Sequence, residues 1–463
     1  MKTRWIALLC VFALVVAACG SRLDDDDLGA GEGTGGDESQ TANGGDQEGV
    51  TDGEDGPMVG TLPVPCGEAE GEGAAEPEAA DEGVSAEAIE IAVISDKAGQ
   101  VRVPTISIEE SVQAFVDFCN GFGGINGRQL ELLKIDSELF NHLEATREAC
   151  DAGVFAIVGS GSVTDDSGAQ AMVDCDLIEV PAYTVSAAKS LSDNLVAPVP
   201  NPTDQITDGP AKWVADQYPD AVQNAALIHG GIDAVDLQTE RVKEAYEAAG
   251  FDFVYDKRTG IIQETYTSEV REMIDAGVEY VTMISATQEV VKLLRDMATQ
   301  GFEPEVVDLG QQYYDADLLA EPAAEGAIVQ INAVPFEEAD DSPALQAYLA
   351  AYDEVEGTKP DPAALGVQAF SAGLLFATAA DAAGDELTRE RVLTELESIT
   401  EWDGGGLHFP TNPGERAVGT CFGYMQVEGG EFTRLHPGEP TEFDCDESYA
   451  FDLSGDYSGA TAG

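Results

Sequence analysis

The chain has 463 residues, of which 88 are Asp or Glu and 22 are Lys or Arg, so its formal net charge is −66. This acidic excess argues against nucleic acid as a partner, because proteins bind nucleic acid by neutralising phosphates with Lys and Arg. Apolar residues make up 43% of the chain, which is enough to build a core for about two or three domains.

The N-terminus has the order of a bacterial lipoprotein signal. A basic segment at residues 1–4 is followed by an apolar run at residues 5–18, which is too short to span a membrane comfortably. Small residues then precede Cys19, the position at which bacterial lipoproteins carry lipid. We expect residues 1–18 to be removed and lipid on Cys19 to hold the chain at the extracellular face of the cell membrane. An ordinary secreted protein with an incidental cysteine is the alternative.

The segment after the signal peptide, residues 19–87, is rich in Gly, Asp and Glu and has one basic residue, Arg22. It contains few large apolar side chains, so it cannot bury enough apolar surface to fold. Its charges also repel one another and extend the chain. We therefore predict a disordered acidic tether over this whole range.

Six cysteines remain beyond the signal peptide and the lipidation site, and an even number in an exported chain indicates disulfides. Six cysteines allow fifteen connectivities. Proximity along the chain favours three pairs, which are Cys150 with Cys175, Cys421 with Cys445 and, by remainder, Cys66 with Cys119. No Cys-x-x-Cys pair is present and the four histidines are scattered, so we expect neither a metal site nor a cofactor.

From residue 88 onward, strand-like and helix-like stretches alternate, as they do in βαβ units with a parallel sheet. The first series places strands at residues 89–94, 130–135, 155–158 and 178–183. The second series begins with a helix around Trp213 and places strands at residues 225–228, 253–255, 280–284 and 306–309. Helices follow at residues 343–355, 362–383 and 389–399, and a hairpin follows at residues 421–435.

These series predict an α/β fold with two lobes. We assign residues 88–201 to the first part of lobe 1, residues 202–332 to lobe 2, residues 333–437 to returning helices and a hairpin that complete both lobes, and residues 438–463 to a C-terminal tail. The helix at 362–383 is apolar but interrupted by polar residues, among them Gln368, so we predict a packed helix rather than a membrane span.

A loop with three competing interpretations follows the third strand of lobe 1, at Gly159-Ser160-Gly161-Ser162. It lacks the third glycine of a dinucleotide-binding turn, the Gly-Lys-Ser/Thr of a phosphate loop and the Gly-x-Ser-x-Gly of a serine hydrolase. What remains is a pair of serines at the carboxyl edge of a parallel sheet, where small polar solutes bind. The alternative is that both serines only cap the next helix. Asp165 and Asp166 follow, either to stabilise the helix dipole or to favour a cationic ligand.

Four segments occur in an order that is typical of one known family. They are Ile91-Ala92-Val93-Ile94-Ser95-Asp96, Gly123-Gly124-Ile125-Asn126-Gly127-Arg128, Phe155-Ala156-Ile157-Val158-Gly159 and Val180-Pro181-Ala182-Tyr183-Thr184-Val185-Ser186-Ala187. With them, the chain from about residue 89 to residue 437 resembles the extracellular solute-binding proteins of ABC importers, of the branched-chain amino acid (Leu/Ile/Val-binding) type. The resemblance implies the periplasmic binding protein-like I fold, an α/β fold of two Rossmann-like lobes with parallel sheets joined by a hinge.

The resemblance also implies which residues contact ligand. The family's contact positions correspond here to Ser160, Gly161, Ser162, Ser186, Ala187, Asp233, Ala286, Gln311 and Gln312. Two positions depart from amino-acid binders, because Ala188 stands where a hydroxyl is common and Gln312 stands where a carboxylate holds the ligand's ammonium. These departures favour an amide, urea-like or hydroxylated solute, since a buried ammonium without a carboxylate costs several kcal/mol. Asp96 and Asp233 are alternative sources of that charge.

The sequence as a whole predicts a monomeric binding protein that makes and breaks no bond. It would deliver a small polar solute, such as an amino acid or an amide, to the permease of an ABC importer, and would touch the membrane only through its lipid. A ligand-sensing module for a signalling partner is the first alternative. A hydrolase that acts on amides or esters is the second.

Overall fold

The computed structural model describes residues 49–53, 56–68, 81–98, 104–357, 360–384 and 387–458. The predicted signal peptide, the predicted lipidation site at Cys19 and residues 20–48 of the predicted tether lie outside the described residues.

A small antiparallel sheet forms within the segment that the sequence assigns to the tether. Its strands are β1 (Val50–Gly53), β2 (Gly56–Val59) and β3 (Leu62–Pro63). Val59 is fully buried in the core of lobe 1, and Cys66 forms a disulfide with Cys119 of that lobe. The prediction of disorder is therefore wrong for residues 50–53 and 56–68, because one buried side chain and one covalent link fix a segment that composition alone leaves unfolded.

Lobe 1 is built on a parallel four-stranded sheet with the order β5-β4-β6-β7. Its strands are β4 (Ala88–Ser95), β5 (Gln129–Asp136), β6 (Ala156–Val158) and β7 (Ile178–Val180). Every residue of β6 and β7 is buried, as expected for parallel strands covered by helices on both faces. The helices that alternate with these strands are α1 (Ile108–Gly121), α2 (His142–Ala152), α3 (Asp166–Asp174) and α4 (Ala187–Ser190).

Lobe 2 repeats this alternation. Its strands in this part of the chain are β8 (Gln205–Thr207), β9 (Ala225–His229), β10 (Phe253–Arg258), β11 (Tyr280–Ile284), β12 (Val306–Leu309) and β13 (Ile328–Ile331). Its helices are α5 (Gly209–Gln217), α6 (Asp233–Ala248), α7 (Thr267–Ala276), α8 (Thr287–Gln300) and α9 (Ala316–Leu319). The strands from β9 to β13 are parallel, which confirms the second βαβ series.

The remaining elements complete both lobes. Three helices pack against α1 or against one another in lobe 1, which are α10 (Pro343–Glu354), α11 (Ala364–Ala383) and α12 (Arg389–Ser398). The predicted hairpin is present as β14 (Cys421–Glu428) and β15 (Glu431–His436), and it extends the lobe 2 sheet to the order β10-β9-β11-β12-β13-β14-β15. Two short strands follow, β16 (Asp444–Cys445), which pairs with β14, and β17 (Ala450–Asp452), which pairs with β8.

The chain crosses between the lobes three times, at residues 191–204, 332–342 and 399–420. These three crossing segments contact one another. For example, the Thr411 hydroxyl donates to the carbonyl oxygen of Pro198 at 2.6 Å, and Ala333 forms a β-bridge with His408. Together they form the hinge that the fold class requires.

Helix α11 is the only helix in the described ranges that is long and apolar enough to cross a membrane, and 89% of its apolar stretch is buried inside the protein. It is therefore the central helix of the lobe 1 core, as predicted. The structure also contains three disulfides with the pairing that proximity favoured, Cys66–Cys119, Cys150–Cys175 and Cys421–Cys445.

Candidate functional site

One cavity of about 450 Å³ is lined by loops that follow strands of both parallel sheets. Lobe 1 contributes the loops after β5, β6 and β7, and lobe 2 contributes the loops after β9, β11 and β12. The crossing segments and α11 supply the rest of the wall. Ligands of open α/β folds bind at the carboxyl ends of parallel strands, and small-molecule sites span about 300–1,000 Å³. Position and size therefore both indicate a small-molecule site.

The cavity continues from the cleft into lobe 2. One face of α6 lines this part, because Val235, Gln238, Val242 and Tyr246 follow one another at helical spacing. Residues of β11, β13 and β14 line the same part of the cavity, and Ile206 and Thr207 of β8 border it. We call this region the lobe 2 arm. Most of its side chains are apolar.

The lining residues share one electrostatic property. None of the residues that line the cavity in the described part of the chain is Asp, Glu, Lys, Arg or His. The polar side chains in the wall are amides, hydroxyls and the phenols of Tyr183 and Tyr246. In a chain with a net charge of −66, this absence of charge marks the cavity as distinct from the rest of the surface.

The predicted contact residues Ser160 and Ser162 are buried and do not line the cavity. The Ser160 hydroxyl donates to the carboxylate of Glu179, which also forms an ion pair with Lys189 at 2.5 Å. The Ser162 hydroxyl donates to Asp96 Oδ1 at 3.1 Å. Both hydroxyls therefore have partners inside lobe 1, and neither caps α3, whose N-cap residue is Asp165.

Four other predicted contact residues also lie outside the cavity wall. Gly161 allows the ring of Tyr183 to approach, since a β-carbon at residue 161 would lie 2.3 Å from that ring. Ser186 caps α4 by accepting from the backbone N–H of Lys189, and the buried Ala187 follows it. Asp233 is fully exposed and pairs with Arg258 at 3.1 Å.

The remaining three predicted contacts line the cavity. Ala286 is the N-cap residue of α8, and Gln311 and Gln312 form the short 3₁₀ turn that follows β12. The two alternative sources of negative charge are not in the wall, because Asp233 is exposed on the surface and Asp96 is buried behind it.

Buried carboxylates hold the lobe 1 wall from behind. The Asp96 carboxylate accepts from the backbone N–H of Leu139 at 3.0 Å and from that of Val163 at 2.8 Å. The Asp165 carboxylate accepts from the backbone N–H of Val185 at 2.8 Å and from that of Ser186 at 2.9 Å. Burial raises the pKa of Asp165 to about 6, although these hydrogen bonds oppose the increase. Asp165 is thus a structural anchor for the loop after β7.

Three amides in the cavity wall, two that follow lobe 2 strands and one on α11, have a polar atom without a hydrogen-bond partner. These atoms are Oε1 of Gln311, Oδ1 of Asn332 and Nε2 of Gln368, and all three residues line the cavity. Asn332 and Gln368 are not among the ligand contacts that the sequence predicts. A signal for Gln368 was present, because a single amide in an apolar helix needs a polar partner when it is buried.

The lobes also touch across the mouth of the cleft. Leu139, in the loop after β5, is 1% exposed and packs against Ile261 and Ala286 of lobe 2. Leu139 adopts a positive φ of 73°, and the Asp96 carboxylate fixes this conformation through the N–H of Leu139. The contact closes the cleft on this side.

Solved structures with the same fold are solute-binding proteins. A solute-binding protein of an ABC transporter from R. palustris, in complex with 4-hydroxybenzoate, is 16% identical, with a TM-score of 0.65 over 78% of this chain and 98% of that one. A fatty acid ABC transporter substrate-binding protein from Thermomonospora curvata is 19% identical, with a TM-score of 0.65 over 81% and 95%. A branched-chain amino acid transporter substrate binding protein from Streptococcus pneumoniae, in complex with isoleucine, is 14% identical, with a TM-score of 0.62 over 75% and 98%.

No curated protein matches the chain. A family model described as periplasmic binding protein matches residues 88–431, which span both lobes and the returning helices. This match covers well over half of the chain and agrees with the two-lobed fold and its central cavity. The chain belongs to the periplasmic binding protein family.

Proposed function

We propose that the protein binds one small uncharged solute between its lobes and delivers it to the permease of an ABC importer without changing it. The cavity of about 450 Å³ between the two sheets, with its uncharged wall, is the observation that supports this proposal most directly. Of the predicted contact residues, Ala286, Gln311 and Gln312 are the ones that we assign to the ligand site. The binding step requires no general base or nucleophile.

Closure of the lobes would convert binding into a signal for the permease. The contact between Leu139 and the lobe 2 residues Ile261 and Ala286 joins the lobes across the mouth of the cleft, and moving the lobes apart would break it. Ligand and contact then stabilise the same closed shape, which a permease can distinguish from an open one.

We further propose that the mature chain is a monomer held at the extracellular face of the membrane by lipid on Cys19. The three disulfides fit an oxidising compartment outside the cytoplasm. In a bacterial host, Cys19→Ser should move the protein from the membrane fraction to the medium. Membrane retention of this variant would contradict the anchor but not the binding function.

The binding function can be tested on the purified mature chain by native mass spectrometry, followed by extraction of the released molecule. We expect a small molecule to co-purify and to be released unchanged. Adding it back at a hundredfold excess over its Kd should stabilise the fold by about 2.7 kcal/mol, seen as a higher Tm. Chemical conversion of the bound molecule would instead establish an enzyme.

A further inference from the structure

Three side-chain amides line one region of the cavity. Gln311 and Asn332 follow the neighbouring strands β12 and β13, and Gln368 lies on α11, which contacts the turn at Gln311–Tyr313. Gln368 is 1% exposed and Asn332 is 8% exposed. We call these three residues the amide cluster.

The amide cluster has unmet hydrogen-bonding capacity. Oε1 of Gln311 and Oδ1 of Asn332 are buried acceptors without a partner, and Nε2 of Gln368 is a buried donor without one. A buried polar group without a partner costs about 1–3 kcal/mol, so a ligand group that completes these atoms would gain affinity from them. The cluster therefore favours a ligand group that both donates and accepts.

A charged group does not meet this requirement. In the amide orientations of the structure, a carboxylate has no proton to donate to the oxygens of Gln311 and Asn332. An ammonium cannot accept from Gln368, and no carboxylate lines the wall to balance its charge. A primary amide or a hydroxyl offers a donor and an acceptor and carries no charge, so it fits on both counts.

The opposite wall is also unsuited to an anion. In sites that bind anions, free backbone N–H groups at the ends of parallel strands point towards the ligand. Here the N–H groups of the wall residues Val163 and Val185 are already bound by Asp96 and Asp165. These built-in carboxylates both occupy the donors and place like charge behind the wall.

The lobe 2 arm defines the remainder of the ligand. Val235, Val242 and Ile206 give it apolar walls, and Phe422 lies beside them. Because burial of an apolar chain in such an arm contributes about 0.8 kcal/mol for each CH₂ group, an apolar body would supply much of the affinity.

From this arrangement we infer that the ligand is an uncharged amphiphile. Its amide or hydroxyl head is held by Gln311, Asn332 and Gln368, and its apolar body lies in the lobe 2 arm. The inference rests on the proposed function and specifies its substrate class. It sets this chain apart from the similar structures solved with 4-hydroxybenzoate and isoleucine, since both of those ligands carry a carboxylate.

Two matched probe series test the inference by calorimetry on the mature, disulfide-bonded chain. The first is hexanamide, 1-hexanol, hexanoate and hexylammonium, and the second is benzamide with benzoate. We expect hexanamide or 1-hexanol to bind at least about tenfold more tightly than hexanoate and hexylammonium, because only the charged probes leave an uncompensated charge in the cavity. Equal or tighter binding of a charged probe in both series overturns the inference and leaves the proposed function intact.

Variants of the amide cluster test whether it holds the head group of the ligand. Gln368→Leu and Asn332→Leu should each weaken binding of the uncharged probes by about tenfold while leaving the apolar arm unchanged. Ser371→Ala is the matched control, because Ser371 lies on the same helix, is buried and bonds to His408 and Trp402 rather than lining the cavity. It should lower Tm without changing affinity. If Gln368→Leu or Asn332→Leu fails to fold, Gln311→Leu is measured in its place, because Gln311 is only half-buried. Unchanged affinity in the folded cluster variants overturns the assignment.

If none of the probes binds, the charge of the co-purified molecule tests the inference instead. If the extracted molecule is uncharged at neutral pH, the inference is supported, and if it carries a carboxylate or an ammonium, the inference fails alone. If no probe binds and nothing co-purifies, the proposed function fails with it.

Discussion

The two walls of the cleft differ in whether their buried polar groups have hydrogen-bond partners inside the protein. In lobe 1, the carboxylates of Asp96, Asp165 and Glu179 bind backbone N–H groups, hydroxyls and Lys189, so the groups behind this wall have partners inside the protein. In lobe 2, amide atoms of Gln311 and Asn332 are buried without partners. A satisfied wall holds its shape without ligand, whereas an unsatisfied one gains stability when ligand arrives. The comparison suggests different roles: the loops of lobe 1 would form a fixed surface, and the amides of lobe 2, together with Gln368 of α11, would recognise the ligand.

The largest expected effect comes from breaking the internal partners of lobe 1. Lys189 and Glu179 are 2% and 1% exposed at the side chain, so Lys189→Met leaves an uncompensated buried carboxylate. We expect a loss of about 3–5 kcal/mol in the free energy of unfolding, measured by urea denaturation. The double variant with Glu179→Gln should recover part of it. Lys212→Met is the matched control, because Lys212 is 42% exposed in its pair with Asp208 and should cost at most about 1 kcal/mol.

The second effect concerns a buried carboxyl group behind the lobe 2 wall. Burial raises the pKa of Asp308 to about 7, although hydrogen bonds from Tyr280 and Tyr424 oppose the increase. Between the unfolded pKa near 4 and this value, the folded chain holds one more proton than the unfolded chain. Stability should therefore fall as pH rises from about 4 to 7, by at most about 4 kcal/mol. Asp308→Asn should flatten this part of the profile, and an equally steep profile in the variant would assign the slope elsewhere.

The third effect comes from giving the lobe 1 wall unpaired polar groups, as the amide cluster already has. Asp165→Ala frees the N–H groups of Val185 and Ser186 and removes a negative charge behind the wall. Of the two freed donors, only the N–H of Val185 belongs to a residue of the cavity wall. One hydrogen bond to an anion is worth about 1.5–3 kcal/mol, so affinity for hexanoate should rise by about 10–100-fold in calorimetry. Asp166→Ala removes the same charge from an exposed position and should leave hexanoate binding unchanged. No gain in the Asp165 variant would show that these N–H groups do not face the ligand.

The smallest effect concerns closure itself. Leu139→Ala removes the side chain that packs on Ile261 and Ala286 across the mouth of the cleft. The lost apolar contact is worth about 1 kcal/mol in the closed state, so affinity for any bound probe should fall by about fivefold, with faster release. Phe140→Ala changes the adjacent residue, which is 53% exposed, and should have no such effect.

The fold could be predicted well because its signals are local. Apolar runs mark the buried parallel strands, and the glycines that end α7 and α8, Gly277 and Gly301, adopt the left-handed conformation that stops a helix. The strands at 50–63 could not be predicted, since their order depends on contacts with lobe 1 and on the disulfide between Cys66 and Cys119.

The site could be predicted only in part, because the direction of a side chain depends on its partners. Ser160 and Ser162 follow β6 as expected, but Glu179 and Asp96 draw their hydroxyls inward. Gln311 and Gln312 lie in the turn after β12 and line the cavity, at the strand end where the family resemblance expects ligand contacts. Gln368 required the packing of α11, which places its lone amide at the cavity rather than in the lobe 1 core.

Strand β8 borders the cavity, and it pairs with β17, the last strand of the described chain. Its residues Ile206 and Thr207 border the lobe 2 arm, yet β8 pairs with β17, and Gln205 donates to Asp452, 247 residues further along the chain. All the residues that line the cavity precede β17 in the chain. The part of the wall at Ile206 and Thr207 is therefore held by residues 450–452, which themselves do not line the cavity.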